Sequence, residues 1–203
     1  GNFLEARFHF KKVIDLEPFD WSTMYNLART FEEIGDYETS RTYYNKTLRL
    51  QPYHTESFLG RGRTYWKDSL FNEAYVDLKN AVMYAPHMVE AQYLLGVCLL
   101  KLGENREALE ALENCLELDK DHLNAMYHRG IARARTGDIF GAIYDFGNSI
   151  KKDQNFIMAY YNRAKCFMAI NYWRVAINDL NKTIELSGPD DAYARRGYCY
   201  LKI

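Results

Sequence analysis

Three arginines in this chain are each followed by an aspartate 16 residues later, and this is the clearest chemical pattern in the sequence. A guanidinium and a carboxylate are complementary in shape and charge, so they form a bidentate ion pair when a fold brings them together. We interpret the recurring spacing as a structural ion pair, with a role in binding a ligand as the alternative. The predicted pairs are Arg61 with Asp77, Arg129 with Asp145, and Arg163 with Asp179.

Histidine and cysteine, which often bind metals, do not suggest a metal site here. His54, His87 and His122 recur at nearly the same position of successive segments, so stacking would separate them by about 10 Å, roughly one helix diameter. We interpret them as polar loop residues. The cysteines have neither zinc-ligand spacing nor the density of a secreted disulfide scaffold, and we expect them to be reduced core residues. They are Cys98, Cys115, Cys166 and Cys199.

No arrangement of residues typical of catalysis is present. No nucleophile is accompanied by a base and an orienting acid at a recurring spacing, and no glycine-rich phosphate loop follows a strand pattern. We therefore expect neither enzyme activity nor a cofactor within these residues.

Charge and hydropathy limit the classes of partner. The 203 residues include 26 Lys and Arg against 27 Asp and Glu, a net charge of −1. This balance does not favour a surface that binds nucleic acid. There is no run of 18 apolar residues and no signal-peptide pattern at the N-terminus. We expect a soluble, cytoplasmic chain without membrane insertion.

A unit of 34 residues recurs along the chain and must position these side chains. The segment 48–52 ends in Pro52, and related segments end in Pro18 and Pro86, 34 residues to either side. A constant period of this kind indicates small units stacked on copies of themselves. Within each unit, two apolar patterns of helical period are separated by a break. The breaks fall at Gly35, Ser69, Gly103, Gly137 and Asn171.

The period predicts one array over residues 1–203. Five full repeats are expected at 21–54, 55–88, 89–122, 123–156 and 157–189. The second helix of a truncated repeat is expected at 1–18, and the first helix of another at 190–203. Because both ends would expose apolar stripes, we expect the chain to be part of a longer protein.

Small and large residues alternate at fixed positions of the repeat. Gly62 and Gly130 lie where two helices must approach closely, and Leu78 and Phe146 fill the adjoining space. Gly188, by contrast, is expected to be exposed and to tolerate a larger side chain. This combination of period, small residues and terminal proline resembles the tetratricopeptide repeat family over the whole chain. The resemblance implies an all-α fold, a right-handed superhelical solenoid of antiparallel helix pairs.

Two residues depart from the repeat pattern. Arg133 and Gln92 stand where other repeats have large apolar side chains. We expect either weaker packing there or a polar partner that compensates.

The resemblance also implies a concave groove lined by the first helix of each repeat, where a partner binds. One position of that helix is tyrosine in four of the five repeats, and polar residues occupy neighbouring positions. The alternative role for the tyrosines is packing between repeats. The candidate groove residues are Tyr25, Asn26, Arg29, Arg63, Tyr93, Tyr127, His128, Tyr161, Asn162 and Lys165.

These features favour a protein–protein interaction scaffold that binds a peptide segment of a partner in the groove. One alternative is a structural subunit of a large multiprotein assembly, for example cytoskeletal or ciliary, that uses its edges and convex face. The other is the targeting module of a multidomain enzyme. The sequence does not identify the partner.

Overall fold

The computed structural model describes residues 3–16 and 19–203, which form twelve α-helices and no β-strand. The prediction of an all-α fold is confirmed. Residues 1, 2, 17 and 18 of the predicted truncated first repeat lie outside the described residues. The helices are α1 (Phe3–Leu16), α2 (Trp21–Glu33), α3 (Tyr37–Leu50), α4 (Thr55–Lys67), α5 (Phe71–Tyr84), α6 (Val89–Leu102), α7 (Asn105–Leu118), α8 (Leu123–Thr136), α9 (Ile139–Lys152), α10 (Ile157–Ala169), α11 (Trp173–Glu185) and α12 (Asp191–Tyr200).

The helices belong to two compact units, residues 1–102 and 103–203. In unit 1, α2 packs on α3 and α4 packs on α5. In unit 2, α8 packs on α9 and α10 packs on α11. The predicted repeat at 89–122 has its first helix in unit 1 and its second in unit 2, and the repeat boundaries stay a prediction.

The backbone turns through the left-handed region at each predicted break. Gly35, Gly103 and Gly137 have φ of 82°, 87° and 94°, which glycine adopts without steric cost. Ser69 and Asn171 adopt φ of 60° and 63°. Serine occupies this region at a cost of about 1–2 kcal/mol. After Ser69 the next amide donates to the Tyr65 carbonyl at 2.9 Å, the bond that also closes the turn after Gly35.

Close packing explains the small residues of the repeat. A methyl group added to Gly62 would lie 3.0 Å from Leu78 Cγ, and one added to Gly130 would lie 2.8 Å from Phe146 Cε1. The expectation that Gly188 is exposed is wrong. Its added methyl would lie 2.8 Å from the Thr183 carbonyl oxygen, because the chain after α11 turns back against that helix.

Two helical glycines in unit 2 provide a matched test of this packing. Gly197 lies in α12 and has no atom within 4 Å of an added methyl, whereas Gly130 faces the buried Phe146 ring. We expect Gly130→Ala to lower the free energy of unfolding by about 1–3 kcal/mol. Gly197→Ala should raise it by about 0.5–1 kcal/mol, since alanine favours the helix. Chemical denaturation of both variants measures the difference, and changes of equal sign and size would contradict the packing account.

Candidate functional site

The three arginine and aspartate pairs each join the two helices of one helix pair. In every pair, Nε donates to Oδ2 and Nη2 donates to Oδ1, which is the bidentate arrangement. The aspartate side chains are only 2%, 0% and 7% exposed, in chain order. These carboxylates are therefore inaccessible to a partner. The two distances are 2.7 and 2.6 Å for Arg61 and Asp77, 2.9 and 2.7 Å for Arg129 and Asp145, and 2.8 and 2.7 Å for Arg163 and Asp179.

Polar partners compensate both departures from the repeat pattern. Arg133 Nη1 donates to Asp145 Oδ2 at 3.0 Å, and its Nη2 donates to Glu113 Oε1 at 3.1 Å. Gln92 is 3% exposed and donates from Nε2 to the Pro86 carbonyl at 3.0 Å. Each polar side chain thus gains a hydrogen bond in place of apolar contact.

A charged network crosses the first helices of unit 1. Arg63 Nε donates to Glu32 Oε1 at 2.7 Å, and Arg63 Nη1 donates to Glu90 Oε1 at 2.7 Å, so the network joins α2, α4 and α6. The buried Tyr44 hydroxyl donates to Glu32 Oε2 at 2.6 Å, and burial raises the pKa of that hydroxyl. Arg63 is a candidate groove residue, yet two carboxylates already bind its guanidinium. Separations of 31 and 27 residues, one and two helical turns short of the 34-residue period, are the signal that sequence reasoning missed.

The other candidates of unit 1 lie on α2 and α6. Tyr25 is half-buried, with its ring centroid 4.9 Å from that of His54. The Arg29 guanidinium carbon lies 5.8 Å from the centre of the Tyr25 ring, and burial raises the pKa of the Tyr25 hydroxyl. Asn26 and Tyr93 are also half-buried. Tyr25 therefore packs against the next repeat and supports an exposed arginine.

In unit 2, Tyr127 is likewise a packing residue. Its ring centroid is 4.8 Å from that of Phe156 and 5.8 Å from that of Phe146. Its hydroxyl accepts a hydrogen bond from Asn162 Nδ2 at 2.9 Å, which links α8 to α10. The neighbouring His128 is half-buried, and its Nδ1 lies 2.7 Å from the Asn124 carbonyl oxygen.

Tyr161 is the most buried of these tyrosines that the structure describes, at 9% exposure. Its hydroxyl donates to Asp191 Oδ2 at 2.6 Å and accepts from Arg195 Nε at 3.0 Å. Burial raises the pKa of Tyr161, while hydrogen bonds from Tyr161 and Arg195 lower the pKa of Asp191. These contacts favour inter-repeat packing as the role of the tyrosine rings.

A pocket of ≈ 260 Å³ lies between α8, α9 and α10 of unit 2. Its floor includes the apolar side chains of Ile131 and Phe146 and the thiol of Cys166. Burial raises the pKa of that thiol to about 11, so it stays neutral and apolar in character. The polar lining is provided by Arg135, Asn162 and Lys165. The pocket can accept an apolar side chain and place an adjacent negative charge near two cations.

Lys165 is the exposed cation of this pocket. Its Nζ lies 5.6 Å from the centre of the Tyr161 ring, a distance typical of a cation–π contact. The packed tyrosine thus positions the lysine at the pocket. Among the groove candidates of unit 2, Asn162 and Lys165 line the pocket.

Two of the histidines cap helices, a role that sequence reasoning missed. His54 Nδ1 accepts from the Ser57 amide at 3.2 Å, and His122 Nδ1 accepts from the Ala125 amide at 3.0 Å. Each satisfies an amide in the first turn that has no partner within its helix. Over residues 3–16 and 19–203, no cluster of three or more His, Cys, Asp or Glu side chains is placed to bind a metal. None of the helices described there has the length and apolar character needed to span a bilayer.

Comparisons with known proteins agree with this architecture. Profiles described as tetratricopeptide repeat match residues 65–134 and residues 9–42. The chain belongs to the tetratricopeptide repeat family. The prediction of an all-α tetratricopeptide solenoid is thereby confirmed. No curated protein matches the chain by sequence.

Solved tetratricopeptide structures are similar across most of the chain. The crystal structure of YrrB, a TPR protein with an unusual peptide-binding site, is 24% identical with a TM-score of 0.81, over 87% of this chain and 91% of that one. The crystal structure of MamA is 25% identical with a TM-score of 0.75, over 79% of this chain and 94% of that one. A tetratricopeptide repeat protein from Parabacteroides merdae ATCC 43184 is 20% identical with a TM-score of 0.76, over 99% of this chain and 80% of that one.

The capping role of His54 predicts a dependence of stability on pH. Burial lowers the pKa of His54 below its usual 6.5, opposed by the Glu56 carboxylate, 3.6 Å from Nε2. Just below pH 6.5 the unfolded chain binds more protons than the folded one at this site, so this contribution to stability is present above that pH and is lost as the pH falls. His54→Asn retains a capping acceptor but does not titrate. Unfolding free energies measured from about pH 8 to 5 should therefore fall less steeply for the variant. Parallel curves would contradict the assignment.

Proposed function

We propose that this chain is a protein–protein interaction scaffold that binds a peptide segment of a partner, with the pocket of unit 2 as a principal contact. Tetratricopeptide arrays present extended surfaces suited to proteins and peptides rather than to catalysis. The observation that carries the proposal is one pocket of ≈ 260 Å³ that combines an apolar floor with the side chains of Asn162 and Lys165.

The lining determines which peptide the pocket suits. An aliphatic or aromatic side chain would gain stability by leaving water against Ile131 and Phe146. A neighbouring Asp or Glu would be attracted to Lys165 and Arg135. The Asn162 side chain, held by Tyr127, has an amide oxygen that can accept from a peptide N–H. The proposed ligand is therefore a segment with adjacent apolar and acidic residues.

The first helices of unit 1 suit such a ligand less well. Arg63 already donates to Glu32 and Glu90, so an acidic peptide would have to displace two carboxylates. Breaking charged hydrogen bonds of this kind costs about 1.5–3 kcal/mol each. Arg29 beside Tyr25 is the candidate cation there, as a secondary contact.

The tyrosines have a supporting role in this proposal. Packed rings leave little freedom to the polar side chains that they contact, and a preorganised surface loses less entropy on binding. Tyr127 holds Asn162 and Tyr161 lies beneath Lys165. Substituting either tyrosine would then weaken binding indirectly.

Filling the pocket tests the proposal. Ala169 lines the pocket and is exposed, so Ala169→Trp would occupy the space that a ligand side chain needs, while Lys165→Glu would reverse the charge. The matched controls are Ala194→Trp and Lys120→Glu, at exposed positions of unit 2 outside the pocket lining. Peptides are first selected from a displayed random library on the intact protein, and their affinities for each variant are then measured by calorimetry.

We expect selected peptides to pair an apolar with an acidic residue. Both pocket variants should bind them at least about tenfold more weakly, a loss of about 1.4 kcal/mol, and both controls should bind like wild type. Equal affinity for Ala169→Trp and wild type would refute the pocket as the binding site. Such a result would favour the alternative of an assembly subunit that uses other surfaces.

A further inference from the structure

The last arginine of the repeated series lacks the carboxylate partner that the others have. Arg196 of α12 donates from Nη1 to Asn181 Oδ1 of α11 at 2.8 Å. Arg61 of α4 makes the same bond to Asn45 of the preceding helix, α3, and directs Nε and Nη2 to an aspartate of the following helix. Within the described part of the chain, no carboxylate accepts from Arg196. Its Nε and Nη2 therefore form a positively charged fork without an anionic partner.

The residue after each of these arginines supplies a second, independent observation. Gly62 and Gly130 follow Arg61 and Arg129, and an added methyl at either would lie 3.0 or 2.8 Å from a large apolar side chain of the following helix. Gly197 follows Arg196 in the same way. No atom lies within 4 Å of an added methyl at Gly197. The notch that Leu78 or Phe146 fills elsewhere is thus open on α12.

The contacts of the other pairs specify what would occupy this face. The residue bonded to the arginine and the residue packed on the glycine are consecutive on one helix, as in Asp77 followed by Leu78. An occupant that meets both Arg196 and Gly197 therefore carries a carboxylate followed directly by a large apolar residue on a helix. Tyr193 and Tyr200 lie about one turn to either side of Arg196 and are 57% and 56% exposed. They offer additional apolar surface to such a helix.

We propose that the Arg196 and Gly197 face of α12 is a docking site for an amphipathic helix of a protein partner that carries consecutive Asp and Leu, or Asp and Phe. This site lies on α12, apart from the pocket of unit 2, and the proposal does not depend on that pocket. The carboxylate of the incoming helix accepts from Nε and Nη2 of Arg196, and its apolar side chain fills the notch at Gly197. Charge complementarity selects an acidic residue, and the missing side chain of glycine selects a bulky neighbour.

A stapled helical peptide with the sequence of residues 71–84 is a suitable probe, because it contains the pair Asp77 and Leu78. The staple is needed because free helices of this length are marginally stable in water. Its affinity for the intact chain is measured by calorimetry, alongside a peptide carrying Asp77→Asn. The protein variants are Arg196→Gln, Arg196→Lys, Gly197→Leu and the control Arg174→Gln at an exposed position of α11. Circular dichroism verifies that each variant is folded.

We expect Arg196→Gln or Asp77→Asn to weaken binding by about tenfold or more, as loss of a charged hydrogen-bond pair does. The two changes together should add little to either alone, because they remove one interaction. Gly197→Leu should abolish binding, Arg196→Lys should retain part of it, and Arg174→Gln should bind like wild type.

Three results would overturn the proposal. The first is no binding of the probe to the wild-type chain. The second is equal binding to wild type and Arg196→Gln, which would place the probe elsewhere. The third is self-association of the chain, by sedimentation equilibrium, that Arg196→Gln abolishes, which would assign this face to a second copy.

Discussion

The burial of one carboxylate in each of several helix pairs is the constraint on which the rest of this structure depends. Moving an aspartate out of water costs several kcal/mol, and only well-aligned opposite charge and hydrogen bonds offset that cost. Asp77, Asp145 and Asp179 each meet a guanidinium in bidentate geometry. This geometry is met at one relative position of the two helices. That position also places Gly62 against Leu78 and Gly130 against Phe146.

The same constraint separates supporting residues from binding residues on the first helices. The paired arginines face inward, so the position two residues later is left to vary. In unit 1 that position is Arg63, which joins three helices through Glu32 and Glu90. In unit 2 it is Ile131 in one repeat and Lys165 in the next, and both line the pocket. Variation at one position of the repeat thus gives a closed charged network in one unit and an apolar pocket with cations in the other.

Interactions within the repeat could be predicted from the sequence, because the period aligns equivalent residues. Arg129 and Asp145, 16 residues apart, meet as the recurring spacing indicates, and the chain turns at Gly137 and Asn171. The backbone at Ser69 also follows the period, although serine disfavours a positive φ, because the packed helices on either side require the turn.

Interactions that depend on the path of connecting segments, or on contacts between repeats, were harder to predict. Gly188 is crowded by Thr183 because of a local reversal of the chain that the period does not encode. Sequence shows that Tyr161 is a tyrosine at a groove position, but burial decides that its ring packs and that its neighbour Lys165 is exposed.

The free energy of unfolding of Asp179→Ala, compared with Glu110→Ala at an exposed position of α7, tests the central role of the buried pairs most directly. With Arg163 left half-buried and uncompensated, we predict a loss of about 3–5 kcal/mol for Asp179→Ala and no measurable loss for Glu110→Ala. Replacing both partners with apolar residues, as Arg163→Met with Asp179→Leu, should restore much of the lost stability because no unpaired charge remains. A loss for Asp179→Ala no larger than that for Glu110→Ala would contradict the account.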